Sequence, residues 1–169
     1  MYRVKDVMTE EVITCRLASS LELAVQSMRD RGCSCVVVVN DAMKVVGMVT
    51  DRDALICALR RRLRLGAIRV SSACSRRPIC CEEEDTLESA EMLMRANQVR
   101  RLPVVGPDRA LVGVISLTDI ARHVELSVGG GSTGLSSRDV AMVLAETSGV
   151  RRAMPPRRHS PAIEAYFHG

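Results

Sequence analysis

Shifted by 66 residues, this sequence falls on itself, and that duplication limits its folds more than any other feature. Gly47-Met-Val-Thr-Asp-Arg-Asp53 returns as Gly113-Val-Ile-Ser-Leu-Thr-Asp119, an offset of 113 − 47 = 66. Each copy ends an apolar, β-branched run (Val45, Val46 and Val49; Leu111, Val112 and Ile115) and opens an Ala/Leu/Ile-containing helical pattern. Thr50 and Asp53, like Ser116 and Asp119, therefore sit where a strand hands over to a helix. The register holds without a gap upstream. Pro78-Ile-Cys80 falls under Val12-Ile-Thr14, Leu87, Ala90 and Met94 under Leu21, Ala24 and Met28, and Val104-Val105 under Val38-Val39. A period this long exceeds the 20–50 residues of solenoid repeats. It describes a small domain used twice, and one copy alone buries too little surface to be comfortable, so the two should pack together.

Within the first copy, Glu11–Cys15 reads as a brief strand, and Ser19-Ser-Leu-Glu22 as a capping box in which Glu22 reaches back to the helix start. Leu21, Ala24, Val25 and Met28 then fall at i, i+3, i+4 and i+7, one apolar helical face. Gly32 is placed to end that helix in the left-handed conformation. Cys35–Val39 is a near-continuous β-branched run, the mark of a strand covered on both faces. Asn40-Asp41 turns the chain, Lys44–Val49 pairs back, and a second helix starts near Asp51 and runs to about Leu65. The second copy repeats the plan, with Asp85-Thr-Leu-Glu88 as its capping box. The chain is thus predicted to be α/β (α+β): a β-α-β-β-α unit over residues 4–66, another over 70–126, and a C-terminal region over 127–169. That region holds a flexible linker at Gly129-Gly-Gly-Ser, a short amphipathic helix over Ser137–Thr147, and a flexible tail rich in Arg and Pro.

Composition removes several function classes. With no Trp, one Phe and two Tyr, the core is aliphatic and nucleic-acid binding by aromatic stacking is largely excluded. The charge of +4 is mostly local, since residues 151–169 carry four Arg and one Glu, so basicity marks the tail rather than a nucleic-acid face. No run approaches the roughly 18 apolar residues needed to span a bilayer, and the N-terminus lacks a signal-peptide pattern, so the cytoplasm is the expected location. Seven cysteines without such a signal argue against a disulfide framework. Cys33-Ser-Cys35 and Cys80-Cys81 are the close pairs, neither has metal-binding spacing, and no metal or catalytic site is expected. An enzyme is disfavoured further, because no glycine-rich phosphate loop and no nucleophile–base constellation is visible.

Two gapless β-α-β-β-α units, each ending in Gly-h-h-Thr/Ser-x-x-Asp (h, apolar), resemble a tandem pair of CBS domains, the Bateman module. Arg101-Leu-Pro-Val-Val105 and the Val7-Met8-Thr9 opening are similar to further signatures of that family. The resemblance covers about residues 4–126. It implies a regulatory ligand-binding module that holds an adenosine-containing ligand (AMP, ADP, ATP or S-adenosylmethionine) in clefts between the units, commonly as a homodimer, with no catalytic cofactor. Output would pass in trans to a protein partner.

By the same resemblance, Asp53 and Asp119 are the ribose-binding carboxylates, and an ionised carboxylate suits the two neighbouring hydroxyls of a ribose. Thr50 and Ser116 would contact phosphate beside free N–H groups at a helix start. Arg100 and Arg101 would supply charge, for which the first unit offers only Ser34 and Cys35, while Arg52, Arg122 and His123 are further candidates. Thr14, Ile79, Cys80, Leu102 and Pro103 would belong to the base-binding wall, as would Ile13 and Cys33 to Val36. Each of these residues has a structural alternative. Thr-x-x-Asp at a strand-to-helix junction is also a cap that needs no ligand. The acidic run Glu82–Asp85 reads as a solvated helix start, and Arg60–Arg64 with Arg76-Arg77 as a solvated basic cluster. Two further functions stay open at this point: a dimerisation scaffold with vestigial clefts, and a thiol redox or metal sensor using Cys33, Cys35, Cys80 and Cys81.

Overall fold

The computed structural model describes residues 2–75, 78–126 and 137–147. The Gly129 linker, the Arg/Pro tail and Arg76-Arg77 lie outside the described residues. Two three-stranded mixed sheets carry the fold. In the first, β1 (Thr14–Cys15) runs parallel to β2 (Cys35–Val39), which pairs antiparallel with β3 (Val45–Thr50). In the second, β4 (Cys81–Glu82), β5 (Arg101–Val105) and β6 (Leu111–Ser116) repeat that order. Helices α1 (Leu21–Asp30) and α2 (Asp51–Arg61) belong to the first unit, and α3 (Leu87–Ala96) and α4 (Leu117–Leu126) to the second. Helix α5 covers Ser137–Thr147, the span its amphipathic pattern predicts.

The duplication persists in atomic detail. Val36 to Val39 are all buried, as a strand covered on both faces must be. A ladder irregularity falls between Val38 and Val39 and again between Val104 and Val105. Even the left-handed residues match: Gly32 (φ 62°) with Gln98 (φ 55°), and Met43 (φ 56°) with Arg109 (φ 62°).

Three local expectations are corrected. The capping boxes proposed around Ser19–Glu22 and Asp85–Glu88 do not form. The first helical residue is Leu21, which makes Ser20 the cap: its Oγ accepts from the Leu23 N–H at 3.2 Å, and Ser19 Oγ instead accepts from the Arg16 N–H. Glu22 lies one position short of the reach-back site and abuts Gly66. Thr86 caps α3 in the same way through the Ser89 N–H at 3.1 Å. Helix α2 stops at Arg61 because Arg62 turns left-handed (φ 53°), and a separate 3-10 turn follows at Leu65–Ala67. Strand β1 is only two residues long.

The segments ahead of each unit are exchanged. Val4 (0% exposed) is buried in the core of the second unit, where the Val4 N–H donates to Asp85 O (2.9 Å) and Thr9 pairs with Val114. Lys5 reaches Glu84 at 2.6 Å, so part of the acidic run anchors the chain's beginning. Val70, at the offset of 66, is buried in the core of the first unit in the same way, and Ser75 bonds to Met48. This exchange, together with the Lys44–Ala110 bridge, ties the two units into one body.

Helix α5 breaks the symmetry. It packs on α3 and α4, and Val140 and Val143 join Leu87, Ala90, Met94 and Ile120 in the second core. The first unit has no such cover among the described residues, and Leu55 (60% exposed) and Leu59 (68%) of α2 face outward.

Candidate functional site

Each strand-to-helix junction is a closed capping box. The Thr50 N–H and hydroxyl donate to Asp53 Oδ2 (3.0 and 2.7 Å), and the Asp53 N–H donates back to Thr50 Oγ1 (3.2 Å). Ser116 and Asp119 repeat this at 2.9, 2.6 and 3.2 Å. The chain therefore uses these residues structurally, as the capping alternative requires. Each carboxylate accepts its two bonds through Oδ2, which leaves Oδ1 without a donor among the described residues.

Both junctions open onto clefts, and each cleft is built from both units. A cavity of about 310 Å³ has Ser116 and Asp119 on one side and Ile13, Cys33, Cys35 and Val37 of the first sheet region on the other, with Arg31 and Arg101 in its lining. Its counterpart, about 430 Å³, sets Thr50, Asp53, Met48 and Ser34 against Val99, Arg100 and Arg101, with Arg52 at the helix start. The carboxylate of one unit thus faces the strand edge of the other. Glycine makes this geometry possible. A Cβ on Gly47 would sit 2.6 Å from Ser75 O, and one on Gly113 2.5 Å from Met8 Sδ, because the exchanged segments cross directly over β3 and β6.

A sequence model of the CBS domain matches residues 4–59 and 70–126. The chain belongs to the CBS-domain family. The CBS domain-containing protein YhcV of Bacillus subtilis is 33% identical over 144 residues, which covers 83% of this chain and 99% of that protein. The crystal structure of Hypoxic Response Protein I, with two coordinated zinc ions, is 27% identical at a TM-score of 0.66, covering 72% of this chain and 98% of that one. CBSX2 in complex with AMP shares the fold at a TM-score of 0.66 and 24% identity, over 75% and 98% of the two chains.

In this CBS pair, Thr50, Asp53, Ser116, Asp119, Arg100 and Arg101 all line the two clefts. Of the expected base-binding wall, Ile13, Cys33, Ser34 and Cys35 line the clefts, while Thr14, Ile79, Cys80, Leu102 and Pro103 stand elsewhere. Thr14 is exposed on β1, opposite Val37, and its neighbour Ile13 takes the place in the cleft. Leu102 is fully buried and Pro103 is buried, for both belong to the central strand β5 between β4 and β6. Ile79 packs against the second core, and the half-buried Cys80 turns its Sγ toward Pro78 O. Among the other candidates, Arg122 is exposed and lines neither cleft, and His123 packs edge-on against Tyr2.

The first unit's lack of a cation at Ser34 and Cys35 does not leave a cleft without positive charge, because Arg101 lines both and Arg31 adds to the Asp119 side. Arg31, Glu11 and Thr9 were not legible as cleft residues, since a helix end, the start of a brief strand and the opening signature say nothing of which cleft they face.

Cys33/Cys35 and Cys15/Cys81 do not converge. Cys15 pairs with Val38, three residues along β2 from Cys35, and Cys81 belongs to the other sheet. Burial pushes the Cys15 thiol up to about 11, with the nearby Cys74 adding to the effect, and the Cys81 thiol up to about 12. Burial also raises Cys35 and Cys80. Such thiols stay protonated at neutral pH and are weak nucleophiles and weak metal ligands. Among the described residues no group of three or more His, Cys, Asp or Glu stands ready for a metal, and no helix is long and apolar enough to cross a membrane.

Proposed function

We propose that this CBS pair is a regulatory module that binds an adenosine-containing ligand in its two clefts and signals to a partner protein in trans, without catalysing a reaction. The observation that carries the reading is the pairing, in each cleft, of a carboxylate with a free Oδ1, a capping hydroxyl and arginine across a wall of aliphatic strand edge. A ribose suits the carboxylate, a phosphate suits the helix start and the guanidinium groups, and an adenine ring suits the aliphatic wall. AMP in CBSX2, a protein of the same fold, supports this choice of ligand at the level of the fold alone. A ligand changes the signal only through different affinity for two states of the pair.

Thermal unfolding with AMP, ADP, ATP and S-adenosylmethionine tests the reading. A ligand at about 100 times its Kd adds roughly 2.7 kcal/mol, which raises the midpoint by about 5–10 °C for a chain of this size. One of the four should give that shift and lose it in Asp119→Ala combined with Asp53→Ala. No shift with any ligand at millimolar concentration sinks the reading.

A second reading, the interaction scaffold, is favoured by the open helical face of the first unit. Leu55 and Leu59 of α2 fall at i and i+4, 60% and 68% exposed, Leu63 just past the helix end is 49% exposed, and Leu23 of α1 is 53% exposed. A second copy of the chain is the proposed occupant, which makes the module a homodimer. Leu59→Asp should then give monomers in sedimentation, and an unchanged species would refute this arrangement.

A further inference from the structure

We propose that the two clefts divide their ligands by charge, the Asp53 cleft taking a phosphorylated adenosine derivative and the Asp119 cleft an unphosphorylated one, with Glu11 setting the difference. This rests on the nucleotide-binding reading above and adds to it which cleft takes which ligand.

The internal repeat supplies a like-for-like comparison. In the Asp119 cleft, Glu11 and Asp119 are set against Arg31 and Arg101, two carboxylates against two guanidinium groups. Arg31 is already partnered there, its Nη1 lying 3.5 Å from Glu11 Oε2. In the Asp53 cleft, Arg52, Arg100 and Arg101 are set against Asp51 and Asp53, an excess of one positive charge. The copies diverge at the positions that set this balance. Sixty-six residues on from Ser34 the sequence carries Arg100 and from Cys35 Arg101, whereas Arg31 gives way to Asn97; Asp51 and Arg52 give way to Leu117 and Thr118 with no change of net charge. A phosphate entering the Asp119 cleft must displace Glu11 from Arg31 and then remain near that carboxylate. A phosphate entering the Asp53 cleft meets arginines that make no ion pair among the described residues.

Arg101 sharpens the division because this one residue lines both clefts. When a phosphate on the Asp53 side holds it, the Asp119 side keeps two carboxylates against Arg31 alone. A neutral or cationic ligand is then favoured there still more. The groups are partly solvated, so each unit of ligand charge is worth roughly three- to tenfold in affinity at low salt, shrinking as salt screens it.

The test is calorimetric titration of the full chain with ATP and with adenosine. The wild-type protein should bind one ATP tightly and, once saturated with ATP, still bind one adenosine, which Asp119→Ala removes. Glu11→Arg, at a side chain 88% exposed and remote from the core, should strengthen ATP at the second cleft at least tenfold, so that two ATP bind per chain. This gain should fall away in about 0.5 M salt. Two equivalent ATP sites in the wild type, or a second-site ATP affinity indifferent to Glu11→Arg, would overturn the division while leaving nucleotide binding intact. No binding of either ligand to any form would overturn both.

Discussion

Gly47→Ala and Gly113→Ala test why the repeated motif begins with glycine, and the two should differ in severity. Both glycines stand beside the ladder irregularities, opposite Val38 and Val104, yet neither has a positive φ, so neither needs an unusual backbone. The demand is steric. At Gly47 the new methyl would stand 2.6 Å from Ser75 O and 3.2 Å from Cys74 Sγ. That carbonyl cannot rotate away, for Ser75 is held to Met48 by its N–H (2.9 Å) and by its Oγ, which accepts from the Met48 N–H at 3.1 Å. Overpacking of this kind costs about 1–3 kcal/mol, and the rigid neighbour places Gly47→Ala near the upper end. At 2–4 °C per kcal/mol for a chain this size, the midpoint should fall by about 5–12 °C. At Gly113 the nearest atoms are Met8 Sδ (2.5 Å) and Cγ (3.0 Å), the end of a flexible side chain, with Thr9 O at 3.2 Å. Gly113→Ala should cost about 1–2 kcal/mol, and Met8→Ala in the same chain should restore part of the loss. Thermal or denaturant unfolding of the three variants decides the matter. Gly47→Ala with wild-type stability, or a Gly113→Ala variant untouched by Met8→Ala, would refute the crossing-segment argument.

Other expectations follow from single features. Gly32 has φ 62° and nothing within 4 Å of a built Cβ, so Gly32→Ala should cost about 1 kcal/mol through backbone torsion alone, read by urea unfolding. Val143, on the core-facing side of α5, is fully buried, and Val143→Ala should cost about 2 kcal/mol, from two lost methyl groups at ~0.8 kcal/mol each and a small cavity. A surface-like loss under 0.5 kcal/mol would show that α5 is not docked in solution. The Cys15 and Cys81 thiols have folded-state values of about 11 and about 12 against an ordinary 9.0. The unfolded chain therefore gives up these protons first, and stability should be level below pH 9 and decline as pH rises from 9 through 11–12. In thiol labelling at pH 8, exposed Cys33 should react first, and Cys81 only with unfolding.

The fold was legible because its signals are local and doubled. The 66-residue register, the β-branched run Cys35–Val39 and the Gly-h-h-Thr/Ser-x-x-Asp junctions each specify backbone, and each stands where the sequence places it. Helix ends were less legible. Nothing in Arg60-Arg-Arg-Leu-Arg64 says that Arg62 adopts a left-handed turn, a choice fixed by packing of the Leu65–Ala67 segment on α1. Ser19 and Ser20 are equally good caps, and only the depth of Leu21 in the core selects Ser20. The clefts were half legible. Asp53, Asp119 and the two arginines at 100 and 101 are marked by motif, but which strand edge faces which carboxylate depends on how the units pack. That relation places Arg31 and Glu11 in a cleft and keeps Leu102 in the core.

The central claim, that these clefts hold an adenosine-containing ligand, is tested most directly by equilibrium dialysis of radiolabelled AMP and ATP against the purified chain. The account predicts saturable binding of one to two molecules per chain, abolished in the Asp53→Ala, Asp119→Ala double variant. The variant keeps the Thr50 and Ser116 caps but loses the bonds each carboxylate accepts, at about 1 kcal/mol per hydrogen bond, so a folded far-ultraviolet spectrum must accompany the loss. No saturable binding to the wild type, or equal binding to the folded double variant, would contradict it.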